Sequence, residues 1–167
     1  MERPNIDIEP RIMDPLDLVE QILSLEGYVH ERAEESEVHF GLPGQWADLH
    51  GFFSSRIEPP TLTLTLGLDI RVPSQRMNDC CRLIALINEQ LWLGHFELWA
   101  EEGNVAFRHV LPLIDRDEAT PGEIAAVLAA AIDSANRFFP AFNFLIWAGK
   151  TPEEAAAAAL FETVGEA

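Results

Sequence analysis

Thr61–Val72 reads TLTLTLGLDIRV. Leu62, Leu64, Leu66, Leu68 and Ile70 alternate with Thr61, Thr63, Thr65 and Asp69. Successive side chains of an extended chain point to opposite faces, so this period of two predicts a strand with one buried and one wet face. Such a strand belongs in a mainly antiparallel sheet whose apolar face is covered by helices. The flanking sequence must then supply both the neighbouring strands and the cover.

Upstream, a strand region is expected over 38–54, broken or bulged at GLPGQ (41–45). Within it Ala47, Leu49 and Phe53 face one way, and Trp46, Asp48, His50 and Phe52 the other. Tyr28 to about Ala33 reads as a further strand, and the acidic run ERAEESE (31–37) contains the turn between the two. A helix precedes them. Asp14 is its N-cap, Pro15 takes the first helical position and Asp17 lies in the first turn. Leu16, Val19 and Leu23 form its apolar stripe, and Gly27 stops it. Residues 1–13, punctuated by Pro4 and Pro10, show no period and read as a flexible arm before a single domain over 14–167.

Downstream, Ser74 caps a long helix predicted to end before Gly94. Met77, Ile84, Ile87 and Leu91 make its stripe, widened by Leu83, Leu86 and Leu93. An arc that wide predicts burial on two sides, one on the sheet and one against a second subunit. After a hairpin (91–113) comes a capping box, Thr120 and Glu123 with Pro121 at the first helical position. Ile124, Leu128, Ala131, Ala135, Phe138 and Phe142 keep helical spacing, with Pro140 expected to kink or split the helix. Thr151, Pro152 and Glu154 open the last helix in the same way. The fold class is therefore α+β, with about five strands and the order α-β-β-β-α-β-β-α-α.

The hairpin, LWLGHFELWAEEGNVAFRHVLPL, concentrates Trp, His, acids and an Arg. A two-residue Gly103-Asn104 turn keeps its apolar residues on one face. It pairs Leu98 with His109, Phe96 with Leu111, and Trp99 with Arg108. His109 is then a core-facing histidine in need of a hydrogen-bond partner, and Trp99 over Arg108 a cation–π pair on the open face.

Composition excludes several activities. A formal charge of −17 with scattered Lys and Arg disfavours nucleic acid. No apolar run reaches the roughly 20 residues of a membrane helix. The opening MERPNIDIEP has no apolar core, so a cytoplasmic location is expected. Cys80 and Cys81 are adjacent and suit a reducing compartment. AGKT (148–151) resembles the end of a phosphate-binding loop, but Phe144 stands where that loop needs glycine. His30, His39, His50, His95 and His109 have no tight metal-ligand spacing, and no catalytic elbow occurs. No catalytic residue, metal or cofactor is expected.

The positive signal is aromatic. Trp46, Phe52 and Trp99 fall on the half-wet sheet face among Thr, His and acids, a composition enriched at protein interfaces. Trp46, Phe52, Trp99 and Arg108 are the candidate partner-binding set. The alternative is a small-molecule or metal-binding sensor using His50, His95, Glu97 and Asp48.

The stretches LINEQLWLGHFELWAEEGNVAFRH (86–109) and RFFPAFNFLIWAGKTPEEAAAAALFETVGEA (137–167) resemble the YbjN family of bacterial proteins. The resemblance spans about 14–167 and is strongest from Leu83 onward. It implies a sensory-transduction regulator with no catalytic residues to transfer. It also implies a fold like that of type III secretion chaperones, which are small, acidic, usually dimeric proteins that bind other proteins. The expectation is a non-enzymatic, cytoplasmic, homodimeric regulator or chaperone-like adaptor whose partners are proteins, with no nucleic acid and no membrane.

Overall fold

The computed structural model describes residues 14–162; the expected arm over 1–13 and the final 163–167 lie outside the described residues. α1 (Pro15–Leu25) starts as its sequence dictates, the Asp14 side chain accepting from the Leu16 N–H at 3.0 Å. It ends in paired backbone bonds, Gly27 N–H to the Ser24 carbonyl and Tyr28 N–H to the Leu23 carbonyl. Four strands follow: β1 (Val29–Glu34), β2 (Glu37–Pro43), β3 (Asp48–Arg56) and β4 (Thr61–Arg71). A 3₁₀ turn at Ser74–Arg76 leads into α2 (Met77–Asn88), then β5 (His95–Trp99), β6 (Asn104–Pro112), α3 (Pro121–Ile146) and α4 (Pro152–Glu162). The sheet is antiparallel throughout, in the order β1-β2-β3-β4-β6-β5. Among the described residues no helix is long and apolar enough to cross a membrane.

The sheet has six strands. The expected break at GLPGQ is a complete hairpin turn, closed by a Gly44 N–H bond to the Ala47 carbonyl, so one strand region becomes β2 and β3. Leu62, Leu64, Leu66, Leu68 and Ile70 are buried as their alternation requires, with Val38, Phe40, Leu42, Leu49, Phe53, Phe96 and Phe107 on the same face. α1, α2 and α3 pack on that face. Thr63 and Thr65 are buried as well, although they lie on the other face. These short side chains of the central strand sit between taller neighbours, Phe52 on β3 and Arg108 and Val110 on β6.

α2 is shorter than its apolar pattern. It stops at Asn88, whose side chain both donates to the Phe96 carbonyl (3.1 Å) and accepts from the Phe96 N–H (2.8 Å). The side-chain amide thus completes the free edge of β5, where no strand lies among the described residues. The second side of the apolar arc of α2 meets α4 of the same chain rather than a second subunit. Buried Ala155 and Ala159 allow that close approach, and Arg82 pairs with Glu153 at 3.0 Å across it.

Pro140 does not break α3, which runs continuously from Pro121 to Ile146. Proline has no N–H, so the Asn136 carbonyl four residues earlier loses its helical donor. The Trp46 indole N–H supplies a replacement at 2.8 Å, while Asn136 Oδ1 accepts from the Gln45 N–H at 2.8 Å. The β2–β3 turn is clasped to α3 at the point that Pro140 leaves open.

Candidate functional site

The described helices lie on one side of the sheet, and among the described residues nothing covers the other side. Its exposed or half-exposed residues include Glu31 (β1), His39 (β2), Asp48, His50 and Phe52 (β3), Arg108 and Val110 (β6), and His95, Glu97 and Trp99 (β5).

The β5–β6 register differs from the two-residue-turn expectation. Trp99 pairs with Asn104, Leu98 with Val105, Glu97 with Ala106, Phe96 with Phe107 and His95 with Arg108. The turn spans residues 100–103, and the Trp99 carbonyl accepts from both the Glu102 and the Gly103 N–H. Ala100, Glu101 and Glu102 are poor strand formers, and Gly103 at φ +77 permits the reversal. Each pairing moves by an even number of residues, so every side chain keeps its expected face while its neighbours change.

The neighbours decide the chemistry. Glu97 is the hub: its Oε1 accepts from the Trp99 indole N–H at 2.7 Å, and its Oε2 lies 3.7 Å from Arg108 Nη1 and 3.6 Å from His95 Nε2. Arg108 therefore pairs with Glu97 instead of stacking on Trp99. Across the sheet His39 stacks on Phe52, with ring centroids 5.4 Å apart and planes 23° apart, and is held by Glu37 at 3.0 Å. Phe52, Trp99 and Arg108 share the open face. Trp46 does not join them: half-exposed in the β2–β3 turn, it spends its one donor on α3.

The alternative sensor set is divided. Asp48 and His50 lie on β3, His95 and Glu97 on β5, with β4 and β6 between them. Three strand spacings make about 14 Å, beyond the reach of a common metal ion. Among the described residues no group of three or more His, Cys, Asp or Glu is placed to hold a metal ion. His109 is half-buried beside Leu64 rather than Leu98, and among the described residues its ring makes no hydrogen bond. Burial first, and His95 second, lower its pKa. Burial pushes the Cys80 thiol up to about 12, far from a thiolate nucleophile.

Sequence reasoning missed Glu97 as an organising group and His39 as the stacking partner of Phe52. Both follow from register, which hydrophobic alternation leaves open in steps of two. The poor strand propensity of Ala100–Glu102 was the available signal for the longer turn.

Residues 15–144 match the model of the YbjN family, described as "Putative bacterial sensory transduction regulator". The chain belongs to the YbjN family. Its fold is similar to that of a chain in the crystal structure of the ExsC–ExsE complex. That match has a TM-score of 0.50 and 18% identity, and it covers 74% of this chain and 92% of that one. No curated protein matches the sequence significantly. At such identity the likeness concerns the fold alone.

Proposed function

We propose that this YbjN-family protein is a non-enzymatic regulator or chaperone-like adaptor that binds other proteins through the open face of its sheet, and that it works in the cytoplasm as a homodimer. The observation that carries the reading is the sheet face that no described residue covers. Six strands present Phe52, Trp99 and Arg108 on the side opposite the helices, with Trp99 38% exposed. Aromatic and Arg side chains on an uncovered surface are the usual anchors of a protein interface. The family and the chaperone-like fold support a protein-binding role. The net charge of −17 favours basic partners by steering and by complementarity.

The test is affinity capture from the native cell, read by mass spectrometry, with wild type and a folded Phe52→Glu/Trp99→Glu variant as baits. A partner captured by wild type and lost by the variant is expected. Equal capture by both baits, or no specific partner with either, refutes an adaptor acting through this face. Light scattering on the purified protein checks the homodimer, which requires twice the chain mass.

A further inference from the structure

Strand register places three small residues, Gly41, Gly67 and Ala106, in one row across the open face. Gly41 of β2 stands beside His50 of β3, His50 beside Gly67 of β4, Gly67 beside Ala106 of β6, and Ala106 beside Glu97 of β5. Val29 of β1 closes the row beyond Gly41. Two residues along the strands to one side stand His39, Phe52, Arg108 and His95; to the other stand Pro43, Asp48, Asn104 and Trp99. Gly67 and Ala106 rise little above the backbone, while the His50 ring leans over Gly41, where an added Cβ would meet its Nδ1 at 3.2 Å; the row is a trough running perpendicular to the strands and interrupted by His50.

Two cavities occupy it. One of about 600 Å³ is lined by Val29, His39, Gly41, Pro43, Asp48 and His50. The other, of about 260 Å³, is lined by His50, Phe52, Gly67, Asp69, Trp99 and Ala106. His50 is common to both and stands between them.

The dimensions select an occupant. From Gly41 on β2 to Ala106 on β6 the trough crosses three spacings of about 4.8 Å, or about 14 Å, the length of about four extended residues. Its two borders lie about four residues apart along the strands, or about 13 Å between Cα rows, before side chains narrow the gap. A helix about 10–12 Å across does not enter, whereas an extended chain does. The charge is one-sided: Glu97 is paired with Arg108, which leaves Glu31, Asp48 and Asp69 bordering the trough.

We propose that this trough binds an extended basic segment of a partner protein. Its Lys or Arg side chains meet Asp48 and Asp69, and one apolar side chain fills the space on each side of His50. The inference rests on the protein-binding reading above and gives that reading a site and a partner chemistry.

The test uses the full chain as target for a phage-displayed random dodecapeptide library, with selected peptides measured by fluorescence polarisation at low and high salt. Two variants are compared with wild type. Gly67→Val fills the floor where an added Cβ meets only the His50 carbonyl oxygen at 3.4 Å. Asp48→Asn/Asp69→Asn removes charge without changing volume and remains informative if the valine variant misfolds by circular dichroism. Expected are peptides rich in Lys or Arg whose affinity falls with salt and drops about tenfold in either variant. Peptides without basic residues, unchanged affinity in the folded variants, or no selected peptide overturn the proposal. A wild-type dimer that Gly67→Val converts to monomer also overturns it, because the face is then a self-interface. A native partner lost with Phe52→Glu/Trp99→Glu but kept with Gly67→Val and with the double Asn variant refutes the trough and leaves the adaptor standing. Capture indifferent to Phe52 and Trp99 removes both.

Discussion

The clasp between Trp46 and α3 yields a coupling that can be measured. Trp46→Phe keeps an aromatic ring in the β2–β3 turn but removes the pyrrole part of the indole and with it the donor to the Asn136 carbonyl, a bond of 2.8 Å. A hydrogen bond of this kind contributes about 1 kcal/mol net, which in a domain of this size lowers Tm by about 2–4 °C. The same substitution should cost less in a Pro140→Ala background. There the restored N–H at position 140 reaches the Asn136 carbonyl by the ordinary helical bond, and the indole becomes redundant. Pro140 is buried, so its replacement opens space, yet it also removes a residue that costs a helix about 3 kcal/mol. Those terms occur in both Pro140→Ala proteins and cancel in the double-mutant cycle, leaving a coupling of about 0.5–1 kcal/mol. Urea unfolding followed by far-UV circular dichroism on the four proteins measures it. Equal costs of Trp46→Phe in the two backgrounds would show that the indole bond has nothing to do with the missing proline donor.

Gly94 and Gly149 both have positive φ, +70 and +64, but only Gly94 abuts another group, since an added Cβ lies 2.1 Å from Phe107 Cζ. Each Ala substitution should cost about 1 kcal/mol for the left-handed backbone, and Gly94→Ala about 1–3 kcal/mol more for displacing Phe107. Comparable denaturation midpoints for the two variants would exclude the close approach. Arg116, and next the Thr120 backbone N–H, hold the Glu123 carboxyl at about 2, so folding gains stability above the ordinary carboxylate pKa and loses it as pH falls from 4.5 toward 2. Glu123→Gln should flatten the acid limb of stability against pH, as read by urea melts; an unchanged limb sinks the assignment. For His109 the unfolded chain takes up the proton first, because burial and His95 lower the folded pKa below 6.5, so stability is full above that value and declines as pH drops below it. His109→Leu should weaken the loss between about pH 7 and 5, and an equally steep loss means that other groups carry it.

Much of the fold was legible along the chain because it rests on local rules. The alternation from Thr61 to Ile70, the Asp14 and Thr120 caps and the stop at Gly27 each concern a few neighbouring residues, and each stands where the pattern put it. Facial assignments survived even where register did not, since Trp99, Glu97 and Arg108 keep their side of the sheet under any shift by two. Chemistry-bearing contacts were decided by the tertiary structure. Alternation cannot tell Trp99 beside Arg108 from Trp99 beside Asn104, and that difference creates the Glu97 hub. Nor can helical periodicity tell whether the second side of α2 meets another subunit or Ala155 and Ala159 of its own chain. Trp46 shows the limit most directly. Its place on a strand pattern put it on the open face, but the carbonyl that claims it lies 90 residues away on α3, vacated by Pro140. A residue's type and period fix which face it can occupy; which partner it finds there depends on groups that only the folded chain brings together.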